Sequence, residues 1–355
     1  MLNRFFLLLC FLFLFFACKK NNASTVAVKP TPFFIKAADL SFLPQVRQSG
    51  VKVYNQNGYN EDMLQTLVKS GVNTIRLRLW KDPLDGHCGF EEVKTLAAEL
   101  KKAGLKVWLT VHYSDTWADP GAQTKPLAWK NISYAQLKDS VFDYTGKIMA
   151  EIQPDYIQIG NEVNNGFLWP EGNISSLSQF KELMNQGIMA VRLSSYSCSV
   201  ILQYAGYKDV LWFMNQIGEV GADIIGLSYY PTWHGANLDS LQLQLSTVST
   251  LTNKPVIIAE TSYPFTLGWN DWTNNIIGDS SQLHPQFPAT KNGQRDFLLR
   301  IRDIASKANN GQGFCYWGGE WISFKGATAK DGSSYENQAF WDFNGLALPI
   351  LDAYK

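Results

Sequence analysis

Along most of the chain, short apolar runs of β-type composition alternate with longer stretches whose apolar residues recur every three or four positions. The joint between them repeats. Ser70-Gly71 leads into the run 72–80, Ala103-Gly104 into 105–112, and Val220-Gly221 into 222–230. Glycine just past a helix end takes the left-handed cap conformation without a Cβ penalty, so each joint predicts a helix, a stop and a strand. The stretch opened by Ser133 carries Gln136 at the capping-box position and sets Leu137, Val141, Tyr144 and Ile148 on one face. A second face gathers Phe180, Leu183, Met184, Gly187, Ile188 and Val191, and a third Phe297, Ile301, Ile304 and Ala308. Strands are predicted at 34–39, 73–80, 106–112, 156–162, 199–204, 224–230, 255–260 and 313–317. Eight strands with intervening helices are the count of an α/β fold of the (β/α)8 TIM-barrel type. A doubly wound open sheet is the rival, but no Gly-rich phosphate loop follows the first strand.

Two of these runs end alike. Asp155-Tyr156-Ile157-Gln158-Ile159-Gly160-Asn161 closes on Glu162, and Lys254-Pro255-Val256-Ile257-Ile258-Ala259 closes on Glu260. An unpaired Glu is rarely buried, so a Glu ending an apolar run asks for a reason. One alone is more often a solvated strand end. Two of them, at the C-terminal strand ends where such a barrel keeps its chemistry, make a pair of carboxylates facing one cavity, as glycosidic bond cleavage requires. The other strand ends add Asp39, Arg76, Arg78, His112 with Asp115, Asn161, Tyr204, Tyr229, Tyr230 and Trp317. Each has an ordinary explanation taken singly: Arg76 as a salt-bridge partner, His112 as a satisfied core histidine, Asp115 as a turn cap, Trp317 as barrel packing. Their occurrence together at one end favours a site.

Composition narrows the class. Among 355 residues, 31 Lys and Arg balance 31 Asp and Glu, which argues against a nucleic-acid surface. The 12 Trp exceed what packing alone needs, and flat aromatic faces suit the apolar faces of sugar rings. At the N-terminus, Arg4 precedes the apolar run 5–17, which has signal-peptide length and is too short for a comfortable membrane span. It closes on Ala17-Cys18, ahead of Lys19-Lys20-Asn21-Asn22. A small residue before Cys resembles a bacterial lipoprotein cleavage site, with Phe15 where that motif usually has Leu. The expected organisation is therefore a signal peptide with a lipidated Cys18 over 1–18, a flexible stalk over 19–32, and one catalytic domain over 33–355. The expected location is outside the cytoplasm, on a lipid anchor or secreted. The remaining Cys88, Cys198 and Cys315 form neither a disulfide framework nor a metal-ligand spacing and are expected as small apolar residues.

The longer motifs carry a family resemblance. They are Phe34-Ile35-Lys36-Ala37-Ala38-Asp39-Leu40-Ser41, Gly71-Val72-Asn73-Thr74-Ile75-Arg76-Leu77-Arg78-Leu79-Trp80 and His112-Tyr113-Ser114-Asp115-Thr116-Trp117-Ala118-Asp119-Pro120-Gly121. Ile159-Gly160-Asn161-Glu162-Val163, Ser228-Tyr229-Tyr230-Pro231-Thr232-Trp233-His234-Gly235 and Ala259-Glu260-Thr261-Ser262-Tyr263-Pro264 follow in order. From about Phe34 to its end the chain resembles glycoside hydrolase family 53, the endo-β-1,4-galactanases, within a large clan of retaining (β/α)8 glycosidases. It departs from the family pattern at Ala38, usually Gly, and at Gly318-Gly319, where many members have Glu-Pro.

The resemblance implies Glu162 as general acid/base, Glu260 as nucleophile, and Asn161 as a donor to the sugar 2-hydroxyl. Arg76 supplies an opposite charge for Glu260, and Glu162 is expected to hold its proton through partial burial and the neighbouring carboxylate. Trp317 is expected under the reacting sugar, with Trp233 and His234 further out and Trp117 and Trp321 in the loops. The implied partner is neutral β-1,4-galactan, cleaved by a monomer that requires no cofactor. Asp271 and Asp279 mark a late loop where a structural Ca2+ could bind, although such residues usually cap turns. The rival readings are another endo-glycanase of the clan, a mannanase or cellulase, and a catalytically inactive glycan-binding lipoprotein. A metal-dependent barrel enzyme is remote, since the four His lack ligand spacing.

Overall fold

The computed structural model describes residues 33–355, so Cys18 and the expected boundaries around it lie outside the described residues. Eight parallel strands close in chain order into a barrel. They are β1 (Ile35–Asp39), β2 (Thr74–Leu79), β3 (Lys106–Val111), β4 (Tyr156–Ile159), β5 (Ser199–Ala205), β6 (Ile224–Ser228), β7 (Val256–Glu260) and β8 (Gly311–Tyr316). Helices cover the outside, so both faces of each strand are buried and the strands read as nearly continuous apolar runs. Alternation sorts the two faces. In β2, Ile75, Leu77 and Leu79 join the large core between strands and helices, while Arg76 and Arg78 reach the barrel mouth. A second, smaller core of Ile35, Ala37, Trp108, Ile201, Ile257 and Cys315, among others, plugs the barrel below that mouth.

Local signals explain the helices. Ser133 and Gln136 form the reciprocal capping box at the start of Tyr134–Glu151, and the predicted face of that helix is buried. Gly71 caps Met63–Ser70 at φ +99°, where a Cβ would meet the Tyr354 carbonyl oxygen at 2.5 Å. Gly221 is a correction. Its helix, Val210–Ile217, ends earlier, at Gly218, whose φ of +60° is paired with ψ −147° outside the left-handed helical cap conformation. Cys88 and Cys315 are buried, Cys198 is half-buried, and all three are free. No helix among the described residues is long and apolar enough to cross a membrane.

Five predicted strands stop short. β2 ends at Leu79, β3 at Val111 and β8 at Tyr316, one residue early, β6 at Ser228, two early, and β4 at Ile159, three early. Beyond β4 the chain turns at positive φ through Gly160 and Glu162, which ends β geometry there. Glu162 therefore stands on a turn after its strand, while Glu260 is the last residue of its own.

Candidate active site

Glu260 is aimed by an irregularity that periodicity does not reveal. Leu227 pairs with Ile258 but Ser228 pairs with Glu260, so the β6–β7 register slips by one residue at Ala259. Such a bulge re-aims the side chain beside it. The Glu260 carboxylate is 6 % exposed and accepts three side-chain donors: Arg76 Nη2 at 2.5 Å and Gln203 Nε2 at 2.7 Å on Oε1, and Tyr230 Oη at 2.9 Å on Oε2. Arg76 is itself fixed by Asp39 Oδ2 at 2.9 Å, Asn161 Oδ1 at 2.9 Å and Gln158 Oε1 at 3.2 Å. A buried guanidinium with carboxylates and amide oxygens around it is oriented in its plane. Burial, then the charge of Glu260, push the Tyr230 hydroxyl well above its usual range, so it remains a donor.

Glu162 reaches the same cavity by a different route. β4 stops at Ile159, Gly160 turns at φ +87°, and Glu162 itself sits at φ +47°, ψ +59°. A Cβ at Gly160 would lie 2.6 Å from Val163 Cγ1, so this turn needs glycine. A non-glycine residue in the left-handed region costs on the order of 1 kcal/mol or more and persists where its surroundings impose it. Here Glu162 N donates to Gln203 Oε1 at 3.3 Å. Burial first, and the neighbouring Glu260 second, raise the Glu162 carboxyl well above the ordinary carboxylate range. One carboxyl that holds its proton beside one that accepts three donors is the division an acid and a nucleophile require.

A cavity of about 410 Å³ joins the two. Arg76, Arg78, His112, Asn161, Tyr230, Trp233, His234 and Trp317, all expected at the site, line it together with Glu162 and Glu260. His112 Nδ1 accepts from Ala118 N at 3.0 Å, and burial followed by Arg78 and Arg76 lowers its pKa well below the usual value. It is a neutral ring whose Nε2–H is left for the cavity. His234 Nδ1 accepts from Tyr230 N at 3.0 Å and is lowered to about 4 by burial and Lys208. Asn161 spends one amide hydrogen on the Ala118 carbonyl at 2.8 Å. Trp117 and Trp233 line the cavity, whereas Trp321 stacks behind it on Phe42 at 3.9 Å.

Two expected substrate contacts are corrected. Asp39 does not line the cavity: it is 2 % exposed and spends its oxygens on Arg76 and on Ser41 N and Oγ. Asp115 faces away and accepts from Asp82 N at 3.0 Å and Leu127 N at 2.7 Å, holding two loops. Asp271 accepts from Thr273 N and Ser323 Oγ, Asp279 caps Ser280–Gln282, and the two do not share a ligand cluster among the described residues. His87, Cys88 and Glu92 do converge. However, burial pushes the Cys88 thiol up to about 12, and the Arg78 guanidinium lies 3.1 Å from its sulfur, which disfavours a cation there.

Gln203, Gln158 and Tyr335 escaped the sequence reading. Gln158 Oε1 takes Trp108 Nε1 at 2.7 Å and Thr110 Oγ1 at 2.8 Å, and its amide donates to Gln203, which carries the chain on to Glu260. The available signal was a single amide inside each of two buried strands, Ile157-Gln158-Ile159 and Leu202-Gln203-Tyr204. A buried polar group needs partners, and here they lead to the site. Tyr335 lines the cavity from a loop more than fifteen positions past β8, where no local pattern marks it.

Comparison with known proteins identifies the family. The model of "Glycosyl hydrolase family 53" matches residues 35–354. The arabinogalactan endo-β-1,4-galactanase of Cellvibrio japonicus is 33% identical over 94% of this chain and 93% of its own length. The endo-β-1,4-galactanase of Bacillus subtilis is 31% identical over 91% and 85%. Among solved structures, the Ignisphaera aggregans GH53 catalytic domain superposes with a TM-score of 0.85 at 37% identity, covering 91% of this chain and 95% of that one. With a match that spans the whole barrel and full-length relatives above 30% identity, the chain belongs to glycosyl hydrolase family 53.

Proposed function

We propose that this glycoside hydrolase cleaves internal β-1,4-galactosidic bonds of galactan with retention, using Glu260 as nucleophile and Glu162 as acid/base. The observation that carries the reading is the carboxylate pair in one cavity, one member held by three donors and the other raised in pKa. Full-length relatives named for galactan hydrolysis support the substrate. In the first step Glu260 attacks the anomeric carbon while Glu162 gives its proton to the departing glycosidic oxygen. Esterified Glu260 no longer carries charge, so one cause of the raised Glu162 pKa disappears. Glu162, now a carboxylate, takes a proton from water, whose oxygen attacks the anomeric carbon and releases Glu260. None of these steps calls for a cofactor.

Trp117 after β3 and Trp317 after β8, with ring centres 5.9 Å apart, and Trp233 after β6 line the cavity from three loops and support an elongated cleft for several sugars. Linear galactan should lose viscosity well before much reducing sugar appears, with mannan and xylan untouched under the same conditions. Release of monosaccharide at nearly constant viscosity would contradict endo cleavage. Hydrolysis of mannan in preference to galactan would contradict the substrate.

The N-terminal run closing on Ala17-Cys18 supports a lipid tether, and with it an extracytoplasmic location. Cys18→Ala should release the protein or leave it unprocessed. If detergent partitioning and mature mass do not change in that variant, the tether is wrong.

A further inference from the structure

Gln203 is 2 % exposed in the middle of β5. Leu202 and Tyr204 on either side join the large core between strands and helices, and Ile201 joins the smaller core that plugs the barrel, so Gln203 points into the barrel. A side-chain amide has two hydrogens to donate and two lone pairs to accept with. All four are used here. Nε2 donates to Glu260 Oε1 at 2.7 Å and to Ser228 Oγ at 3.0 Å. Oε1 accepts from Glu162 N at 3.3 Å and from the Gln158 amide.

The neighbours determine which end of the amide is which. Gln158 Oε1 takes Arg76 Nε at 3.2 Å, Trp108 Nε1 at 2.7 Å and Thr110 Oγ1 at 2.8 Å, so the Gln158 nitrogen is the end that meets Gln203. Glu162 N is a donor as well, and the Glu260 carboxylate is an acceptor. Exchanging the ends of Gln203 would set oxygen against carboxylate and nitrogen against N–H. One neutral group therefore holds the side chain of one catalytic residue and the backbone of the other. Both stand where regular strand geometry does not put them: Glu162 at φ +47°, ψ +59°, and Glu260 beside the register slip that pairs it with Ser228. Retention needs closely spaced carboxyls, since a wider gap admits a water between them.

We propose that Gln203 is a positioning residue: by holding Glu260 Oε1 and Glu162 N on a single amide, it keeps the nucleophile and the acid/base at their working separation. Gln203 does not line the cavity, so it acts through those two residues and not on the sugar. An amide is neutral at every pH, and the tie is the same when Glu162 has given up its proton and when it has regained it. The inference rests on the galactanase reading and on the roles it gives to Glu162 and Glu260.

Linear galactan and an activated aryl β-1,4-galactobioside, whose leaving group departs without acid assistance, are the test substrates. In Gln203→Met, kcat and kcat/KM on galactan should fall together by about 10- to 100-fold, the worth of a lost hydrogen bond to a charged group, as for an interaction that matters in the transition state. Gln203→Glu keeps an oxygen for Glu162 N and Gln158 and places another against Glu260. While the introduced carboxyl is protonated it can still donate to Glu260; once it ionises, repulsion replaces that bond. The charged and titratable groups around it are Glu260, Glu162 and the two that share Glu260 with it, Arg76 and Tyr230. On the aryl substrate, the ratio of variant to wild-type kcat/KM should therefore fall as pH rises, which a general loosening of the barrel would not produce. This variant decides the matter if the Met variant does not fold. In Glu260→Ala the amide has no carboxylate to hold, so adding Gln203→Met should cost azide-rescued cleavage of the aryl substrate less than about threefold, a strong departure from additivity. A loss of tenfold or more in that rescued background, a loss confined to KM, no loss in Gln203→Met, or a Gln203→Glu ratio constant with pH would each overturn the proposal. Inactivity of the wild-type protein on both substrates, or full hydrolysis by Glu260→Ala without azide, would count instead against the galactanase reading.

Discussion

In Glu260→Ala, hydrolysis of galactan is expected to fall by roughly 10⁴- to 10⁶-fold, as when a nucleophile is removed from other covalent mechanisms. The fold should persist at a cost of about 1–3 kcal/mol. A strand-end carboxylate alone would cost less, but this one is 6 % exposed and satisfies Arg76, Gln203 and Tyr230. Asp39 stays on Arg76 in the variant, and the cavity lets water reach the freed donors. Azide should then restore cleavage of an activated β-galactoside and give the α-azide, because it attacks from the face that Glu260 vacated. In Glu162→Ala the ester still forms and azide opens it from the other face, so the product should be the β-azide. NMR of the first product released by the native enzyme checks the stereochemistry: an initial α-anomer would refute both retention and the role of Glu260.

The second large effect is the alkaline limb of the pH profile. Glu162 must carry a proton to assist departure of the leaving oxygen, and both burial and Glu260 raise its carboxyl. Activity should therefore hold well above the ordinary carboxylate range and fall only as Glu162 loses its proton. Glu162→Gln should remove that limb and lower cleavage of natural galactosidic bonds by about 10²- to 10⁴-fold, the usual worth of acid assistance. Aryl galactosides with acidic leaving groups should lose far less in the first step, since they depart without a proton. An unchanged alkaline limb in the variant would assign it to another group. Stability has the same sign. Glu162 and Glu320 are both raised, Glu320 by burial and then by Asp39, so the folded protein binds more protons than the unfolded chain above the ordinary carboxylate pKa. Stability should fall as pH rises through that window.

Gly318-Gly319, where many family members have Glu-Pro, leads into Glu320. Glu320 Oε1 accepts from Phe42 N at 2.7 Å, and Phe42 stacks on Trp321 and faces Arg78. The departure from the family pattern thus falls beside Phe42 and Arg78, away from the carboxylate pair.

Much of this was legible along the chain, because the signals are local. Helix stops at glycine, the Ser133 capping box, the apolar strands buried on both faces and the two runs closing on Glu each depend on a few adjacent residues. They were sufficient for the barrel and for the meeting of Glu162 and Glu260 in one cavity. What only the tertiary structure decided depends on residues far apart in sequence. The slip between Ser228 and Glu260 belongs to a pair of strands and leaves no mark on either. Asp39 and Asp115 read as site residues because strand-end position does not say which way a carboxylate turns; Arg76 drew one inward and two loop amides drew the other aside. Gln203 joins the Glu162 backbone N–H to the Glu260 carboxylate through contacts 41 and 57 residues apart. Periodicity reports which face a residue occupies, whereas hydrogen-bond partnership is set by the three-dimensional crossing of chains.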